Sequence, residues 1–225
     1  ISIMAGGNVS LTGGPGTGNS SSERGMAQIG HGGYNADFIE IPGTMDDPVP
    51  VSAGSGRGYT GTITVAADGS IAVTAGGGDD YNYAVVGHGG VSTHGDHSGM
   101  ISVTGGTGVT VQGTTDSSGG SGNFAQIGHV MYSSEGVVSG DVEVTATTGG
   151  VQVLGGARGS SYALIGNGGT QILDGTVIGG ATTVNSLGTN AVTDGITVLG
   201  GEGSHSYAAI GHGATRSTGG TGGHP

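Results

Sequence analysis

The sequence predicts an all-β protein, a parallel β-solenoid (β-helix) of about five coils, with three short strands per coil and loops inserted at one corner. The first observation is a short unit that recurs five times in the 225 residues: a large apolar residue, Ala, any residue, Ile or Val, Gly, then His or Asn. The second is a pair of alternating Val/Ile-rich segments before each copy. Such self-similarity indicates a repeat architecture, in which each unit buries its apolar face against its neighbours.

The two alternating segments predict the first two strands of each coil. In three repeats they begin 8 residues apart: Ile1 and Val9, Ile63 and Ile71, Ile101 and Val109. Period-2 alternation of β-branched residues is typical of half-buried strands, and the glycines that follow allow the positive φ of tight corners. The recurring unit predicts the third strand, at residues 26–33, 83–90, 124–130, 162–169 and 207–213. We expect one domain, 1–225, with repeats at 1–60, 61–100, 101–140, 141–181 and 182–225.

Stacked coils would place equivalent residues in columns, with neighbouring strands ~4.8 Å apart. Three interior columns are expected: Ile3, Val65, Val103, Val144 and Val184; Leu11, Val73, Val111, Val153 and Val198; and Ala27, Ala84, Ala125, Ala163 and Ala208. The spacing of the recurring unit varies because loops are inserted after the third strand. The longest insertion is 34–60, an extended loop with three of the five prolines and four acids. Such insertions often form a binding face, and a solvated loop without a partner is the equal alternative.

Composition narrows the function classes. Glycine accounts for 56 residues and there is no Gly-X-Y period, which excludes collagen, while the regular apolar pairs argue against disorder. Sixteen acids face four arginines without any lysine, for a net charge of −12, which disfavours nucleic acid and anionic membranes as partners. Cysteine is absent, so disulfides and Cys-ligated metals are excluded. No apolar run is long enough for a membrane span, and we expect no membrane insertion.

The sequence predicts no enzyme. β-Helix enzymes that act on polysaccharides need paired carboxylates, or a carboxylate with a basic side chain, in a groove. The candidate pairs Asp46–Asp47 and Asp79–Asp80 are adjacent residues, which point to opposite faces of a strand. We also expect no cofactor, with calcium on the loop acids as the alternative.

One residue after the recurring glycine forms a predicted polar ladder: His31, His88, His129, Asn167 and His212. Imidazoles one strand apart can share a metal, but no acid or cysteine recurs beside them. The favoured interpretation is a structural ladder in which each side chain hydrogen-bonds its neighbours or the corner backbone. Asn167 supports this interpretation, because asparagine is a poor zinc ligand. A separate candidate metal site, with residue types that suit zinc or copper, is formed by His88, His94, Asp96 and His97.

The large residues of the recurring unit form a second predicted ladder: Met26, Tyr83, Phe124, Tyr162 and Tyr207. Strand parity points them away from the Ala/Ile face, so they would form an outward apolar column and a candidate contact surface. Two alternatives stay open. The loops after the third strand fold over the column, or a register break turns the large residues inward.

The Ile-x-Val-x-Gly-Gly and Ala-x-Ile-Gly-His-Gly-Gly repeats resemble those of filamentous-haemagglutinin-type exoproteins and other repetitive bacterial surface proteins. This resemblance implies a secreted or surface-attached β-helix used for adhesion, as a stalk or in a fibre. Since Ile1 to Ile3 enter the first strand directly and no polar capping unit is apparent, we expect both end coils to be bare. Either the chain is excised from a longer array or copies stack head to tail; we predict an extracellular structural protein that forms or belongs to a filament by end-to-end self-stacking. An adhesin for glycans or cell surfaces is the alternative, followed by a polysaccharide-active enzyme.

Overall fold

The structure of the protein is a computed structural model that describes residues 1–15, 25–34, 36, 58–118, 120–134, 136–172, 176–190 and 192–214. Every regular element in these residues is a β-strand. The described part of the chain contains no helix, and hence none that could cross a membrane. The predicted all-β parallel solenoid is confirmed.

The strands follow one another in five coils. Coil 1 contains β1 (Ser2–Ala5), β2 (Val9–Thr12), β3 (Ala27–Ile29), β4 (Gly32–Tyr34) and β5 (Tyr59–Thr60). Coil 2 contains β6 (Ile63–Ala67), β7 (Ser70–Thr74), β8 (Ala84–Val86), β9 (Gly89–Val91) and β10 (His97–Ser98). Coil 3 contains β11 (Ile101–Gly105), β12 (Gly108–Gln112), β13 (Ala125–Ile127), β14 (Val130–Tyr132) and β15 (Val137–Ser139). Coil 4 contains β16 (Val142–Ala146), β17 (Val151–Leu154), β18 (Ala163–Ile165), β19 (Gly168–Gly169) and β20 (Val177–Ile178). Coil 5 contains β21 (Thr182–Ser186), β22 (Ile196–Leu199), β23 (Ala208–Ile210) and β24 (Gly213–Ala214).

Equivalent strands of successive coils pair in parallel and form five sheets. Sheet A is β1-β6-β11-β16-β21, sheet B is β2-β7-β12-β17-β22, sheet C is β3-β8-β13-β18-β23, sheet D is β4-β9-β14-β19-β24 and sheet E is β5-β10-β15-β20. Sheets A, B and C are built from the three strands predicted for each coil. Sheets D and E are built from two additional short strands per coil, in the segment that was predicted to be a loop. Of the predicted loop 34–60, residues 35 and 37–57 lie outside the described part of the chain.

The aliphatic core lies inside sheets A, B and C. Its register follows the predicted columns: Ile3 is opposite Val65, and the column continues through Val103 and Val144 to Val184. The columns that begin at Leu11 and Ala27 have the same one-to-one register. The buried members of the aliphatic core are Ile63, Val65, Ala67, Ile71, Val73, Ala84, Val86, Ile101, Val103, Val109, Val111, Ala125, Ile127, Val142, Val144, Ala146, Val151, Val153, Ala163 and Ile165. Period-2 alternation produces this core, because every second side chain of a strand points to the same face.

A second, aromatic core lies between sheets C and D. Its buried members are Tyr83, Val85, Val91, Phe124, Val130, Tyr132, Tyr162 and Leu164. The large residues therefore point away from the aliphatic core, as strand parity indicates, but they do not form an exposed contact surface. The chain after the third strand turns back at the Gly-His corner and covers them. Of the three arrangements considered for this column, the structure has the one in which the segment after the third strand folds over it.

Candidate functional site

The polar ladder stands at the corner between sheets C and D. The rings of His31 and His88 are stacked with centroids 5.2 Å apart, and those of His88 and His129 are also 5.2 Å apart. The ladder residues follow the corner glycines. A Cβ on Gly128 would lie 1.9 Å from the carbonyl oxygen of Gly166, and its φ of +147° also favours glycine. Glycine at this corner lets the coils approach closely enough for the side chains beside it to stack.

In the middle coils, one side of the ladder side chain accepts a hydrogen bond from the preceding coil. The backbone N–H of His31 donates to Nδ1 of His88 (3.1 Å), and the backbone N–H of His88 donates to Nδ1 of His129 (3.2 Å). The backbone N–H of His129 donates to Oδ1 of Asn167 (3.0 Å). Since Nδ1 accepts in His88 and His129, it carries no proton there.

The other side of each ring bonds to a glycine carbonyl two residues before a sheet A strand. Nε2 lies 2.9 Å from the Gly61 oxygen in His88, 2.9 Å from the Gly99 oxygen in His129 and 3.0 Å from the Gly180 oxygen in His212. A carbonyl only accepts, so Nε2 carries the proton. His88 and His129 are therefore neutral imidazoles that join the C–D corner to the start of sheet A, closing sheets D and E onto the coil.

Asn167 reproduces this bonding without an imidazole. Its Oδ1 accepts from His129, and its Nδ2 donates to the carbonyl oxygens of Gly140 (2.8 Å) and Gly179 (2.9 Å). The amide thus presents one acceptor and one donor where a neutral histidine presents Nδ1 and Nε2–H. This equivalence accounts for Asn at one position of an otherwise histidine ladder.

Burial disfavours charge on the inner histidines. It lowers the pKa of His88 and lowers that of His129 to about 4, against the glycine hydrogen bonds, which raise both. His97, in sheet E, is stacked on Tyr59 with centroids 5.5 Å apart, and its Nδ1 accepts the Tyr59 backbone N–H at 3.3 Å. Burial also lowers the pKa of His97 to about 4. In the folded chain these rings are neutral hydrogen-bond acceptors, and protonation would place a charge in a buried environment.

Three of the four candidate metal ligands are engaged in other hydrogen-bond or stacking contacts, although His88 and Asp96 also interact electrostatically with His97. His88 belongs to the ladder, His97 is stacked on Tyr59, and Oδ1 of Asp96 accepts the Val137 backbone N–H at 2.8 Å. His94 is buried. Among the described residues, no group of three or more His, Cys, Asp or Glu side chains is arranged to hold a metal ion.

Two loop acids, Asp80 and Asp116, accept hydrogen bonds from the backbone of neighbouring coils. Oδ1 of Asp80 accepts the Ser121 backbone N–H at 2.6 Å, and Oδ2 of Asp116 accepts the Gly78 backbone N–H at 2.9 Å. The pair Asp46–Asp47 lies outside the described residues. Along the A–B corner, an open groove of about 580 Å³ is lined by Met4, by Ala, Gly and Thr residues and by a single acid, Asp68.

The aromatic ladder is a continuous stack. Ring centroids are 4.9 Å apart for Tyr83 and Phe124, 4.7 Å for Phe124 and Tyr162, and 5.0 Å for Tyr162 and Tyr207. Met26 occupies the same column in coil 1, where its sulfur accepts the Tyr83 hydroxyl at 3.3 Å. Burial raises the pKa of the Tyr207 hydroxyl to about 12, so the stack is uncharged at neutral pH.

A third ladder was missed by the sequence reasoning. The backbone N–H of Asn82 donates to Oδ1 of Asn123 (2.7 Å), and that of Gly25 donates to Oδ1 of Asn82 (2.5 Å). The Asn82 side-chain amide also donates to the Gly77 carbonyl oxygen at 2.7 Å. The available signal was the small polar residue immediately before each aromatic residue in coils 2 to 5: Asn82, Asn123, Ser161 and Ser206.

The end coils present the cores to solvent. Ile196 and Val198 of coil 5 are each 46% exposed, whereas Val151 and Val153, their partners in coil 4, are 0% exposed. In coil 1, Met26 is partly exposed, whereas Tyr83 below it is buried. All sheets also end at edge strands, of which β1 and β21 are the edges of sheet A.

The fold defines the chain as a parallel β-solenoid with an aliphatic and an aromatic core, joined by a neutral histidine ladder. The chain matches no protein-family model, no curated protein and no solved structure. The likeness to haemagglutinin-type exoproteins therefore stays a prediction.

Proposed function

We propose that the protein is an extracellular structural protein that forms, or belongs to, a filament in which copies stack end to end. The observation that carries the proposal is the exposure of the core columns at coil 5. Val198 is about half exposed there, whereas its partner in the same column of coil 4, Val153, is fully buried. A further coil placed on coil 5 would bury them. Complete burial of a Val or Ile side chain contributes about 1.5–3 kcal/mol.

Coil 1 of a second copy fits this position. Coil 1 of the second copy would pack on coil 5 as coil 5 packs on coil 4. The residues match, because the columns that end at Val184, Val198 and Ala208 begin at Ile3, Leu11 and Ala27. The aromatic column matches as well. Met26 would cover the Tyr207 ring, and methionine adapts its shape to such aromatic contacts.

The corner glycines leave room for the same contact. A Cβ at Gly166 would lie 2.0 Å from the carbonyl oxygen of Gly211 in the next coil, whereas a Cβ at Gly211 would have no atom within 4 Å. The carbonyl of Gly30 from a second copy would occupy this space. The contact is heterologous and repeats along the solenoid axis without closing, so it generates an open filament.

The location is part of the proposal. The repeat style resembles that of exported bacterial surface proteins, and the composition is rich in glycine with only 9% charged residues. A solenoid of such composition suits a mechanical element outside the cell. Binding of glycans or cell surfaces by the isolated chain would instead favour the adhesin alternative.

The free edge of β1 supplies a specific test. The carbonyls of Ile1 and Ala5 accept from Thr64 and Asp68 of coil 2, so alternate residues of β1 face coil 2. The Met4 N–H therefore points to the free edge, and the Met4 side chain is 84% exposed. Met4→Pro removes this N–H and places a ring at the junction, while it leaves the hydrogen bonds to coil 2 intact. Met4→Ala removes the side chain and keeps the N–H.

We expect wild type and Met4→Ala to form filaments visible by electron microscopy, and the critical concentration of Met4→Pro to be at least about tenfold higher in sedimentation assays. Far-ultraviolet circular dichroism checks that all three chains keep the β fold. Wild-type chains that stay monomeric at high concentration, or Met4→Pro chains that polymerise like wild type, would refute end-to-end stacking through this edge.

A further inference from the structure

The histidine ladder has a polarity that continues past both end coils. In each observed step, the backbone N–H of one ladder residue donates to the side-chain acceptor of the ladder residue in the following coil. The observed order begins at His31 and runs to Asn167, and His212 occupies the ladder position of coil 5, where its Nε2 bonds to the Gly180 carbonyl oxygen. In the stacked arrangement proposed above, the coil after His212 is coil 1 of the next copy.

We propose that His31 of one copy and His212 of the next form a ladder step across the junction, and that this step requires a neutral His31, so that acid dissolves the filament. This inference rests on the proposed end-to-end stacking. It adds the residues that meet at the junction and a proton as the regulator of assembly.

The chemistry of the step follows from the inner ladder. The backbone N–H of His212 would donate to Nδ1 of His31, as the His31 N–H donates to His88 within one copy (3.1 Å). A protonated His31 carries a hydrogen on Nδ1, so two donors would face one another. The junction can therefore form only with a His31 whose Nδ1 carries no hydrogen, and acid that protonates the ring opposes it.

Exposure makes His31 the accessible proton acceptor. His31 is exposed in the single chain, whereas His88 and His129 are buried. The titratable groups around it are His88, stacked at 5.2 Å, and Tyr59 of sheet E, with centroids 6.2 Å apart. The Ile1 ammonium group also acts on His88 and lowers its pKa. Across the junction the facing group is His212. His31 would then lie between two imidazoles, His88 in its own copy and His212 in the next.

Asn167 indicates the variant that removes the proton and keeps the bond. Its Oδ1 accepts a ladder N–H at 3.0 Å, and it does not titrate. His31→Asn should therefore present an acceptor to His212 at any pH. His205→Asn is the matched control, because His205 is exposed in coil 5, lies outside the ladder, and has a φ of +58°, which asparagine tolerates.

The experiment measures the critical concentration of the full chain between pH 7.5 and 5.5 by sedimentation, with circular dichroism to confirm the fold at each pH. A junction that releases one proton weakens about tenfold per pH unit once the pH is below the pKa of the group that loses it. We expect this rise for wild type and His205→Asn. The critical concentration of His31→Asn should change by less than about twofold, because one non-titrating acceptor replaces the proton-linked step. Assembly of wild type in weak buffer at pH 6 should release protons, and His31→Asn should release fewer.

The outcomes separate the two proposals. Wild-type filaments that are equally stable at pH 7.5 and 5.5 refute the proton-linked junction and leave end-to-end stacking intact. The same holds if His31→Asn loses assembly in acid as steeply as wild type, since another group would then be responsible. If wild type does not assemble at pH 7.5, both proposals fail.

Discussion

The aliphatic core and the aromatic core share sheet C but are stabilised in different ways. The aliphatic core is filled by Val, Ile and Ala columns, and its side chains carry no hydrogen-bonding groups. The aromatic core combines stacked rings with buried polar neighbours such as Gln126, whose Nε2 donates to the His129 and Gly168 carbonyl oxygens at 3.1 Å each. It is bounded by the ladder of neutral imidazoles.

This difference shows how one solenoid can enclose two separate cores. Apolar columns need only matching shape and burial, so they tolerate acid and base. The second compartment depends on oriented hydrogen bonds and on uncharged rings, which makes it specific and sensitive to protonation. We therefore expect sheets D and E to open separately from sheets A and B.

The sharpest test of two separate cores uses two residues of one coil. Phe124, just before β13, points into the aromatic core, and Ile127, within β13, points into the aliphatic core. We expect Phe124→Ala to cost about 3–5 kcal/mol and Ile127→Ala about 2–5 kcal/mol in denaturant unfolding. Amide hydrogen exchange should rise first in sheets D and E for Phe124→Ala, and in sheets A and B for Ile127→Ala. If both variants loosen the same amides, the two cores are one cooperative unit.

Acid should weaken the aromatic side selectively. Burial lowers the pKa of His97 and His129 from 6.5 to about 4, so the folded state binds fewer protons than the unfolded chain between these values. Their stabilisation is present above pH 6.5 and is lost as the pH falls towards 4, up to roughly 3 kcal/mol for each ring. Thermal unfolding from pH 7.5 to 4 should show this loss, and hydrogen exchange should place it in sheets D and E.

His129→Asn is the matched variant for this pH dependence. Asparagine retains an acceptor and a donor, as Asn167 shows, so the variant should fold at pH 7.5 and lose part of the acid sensitivity, with His97 and His88 retaining the rest. His205→Asn, outside the ladder, should retain all of it. A stability that is flat from pH 7.5 to 4 in the wild type would contradict a buried neutral ladder.

The smallest expected effect concerns the corner that follows sheet D. Ser92 has a left-handed φ of +53°, which costs a non-glycine residue free energy. We expect Ser92→Gly to stabilise the chain by up to about 1 kcal/mol. Ser102→Gly, on the outward face of β11, should destabilise it by about 0.5–1 kcal/mol, because glycine weakens a regular strand. Equal signs for the two variants in calorimetry would show that the corner is not strained.

The main sheets could be predicted because their signal is local. Val65 and Val103 alternate with polar residues, and only a strand places such residues on one face. The shared spacing of the repeats then predicts the register of the columns. Sheets D and E could not be predicted in this way. Gly168–Gly169 and His97–Ser98 are only two residues long, and a segment of that length has no periodicity to read.

The ladder was predictable as a column of His and Asn, but its chemical state was not. The carbonyls that fix the tautomer belong to residues such as Gly61, which lies 27 residues before His88. Only the closed coil brings them together. The candidate metal cluster illustrates the converse, because residues close in sequence, such as Asp96 and His97, have different partners in the structure.

The sequence by itself determined the parallel stack, its apolar columns and the outward parity of Tyr83 and Phe124, because alternation along a strand decides which face a side chain takes. The tertiary structure decided whether outward means exposed. The chain turns at the Gly-His corner and returns over sheet C, so the aromatic column is buried in a second core. This path depends on contacts between segments far apart in the coil, and no local pattern of residues encodes it.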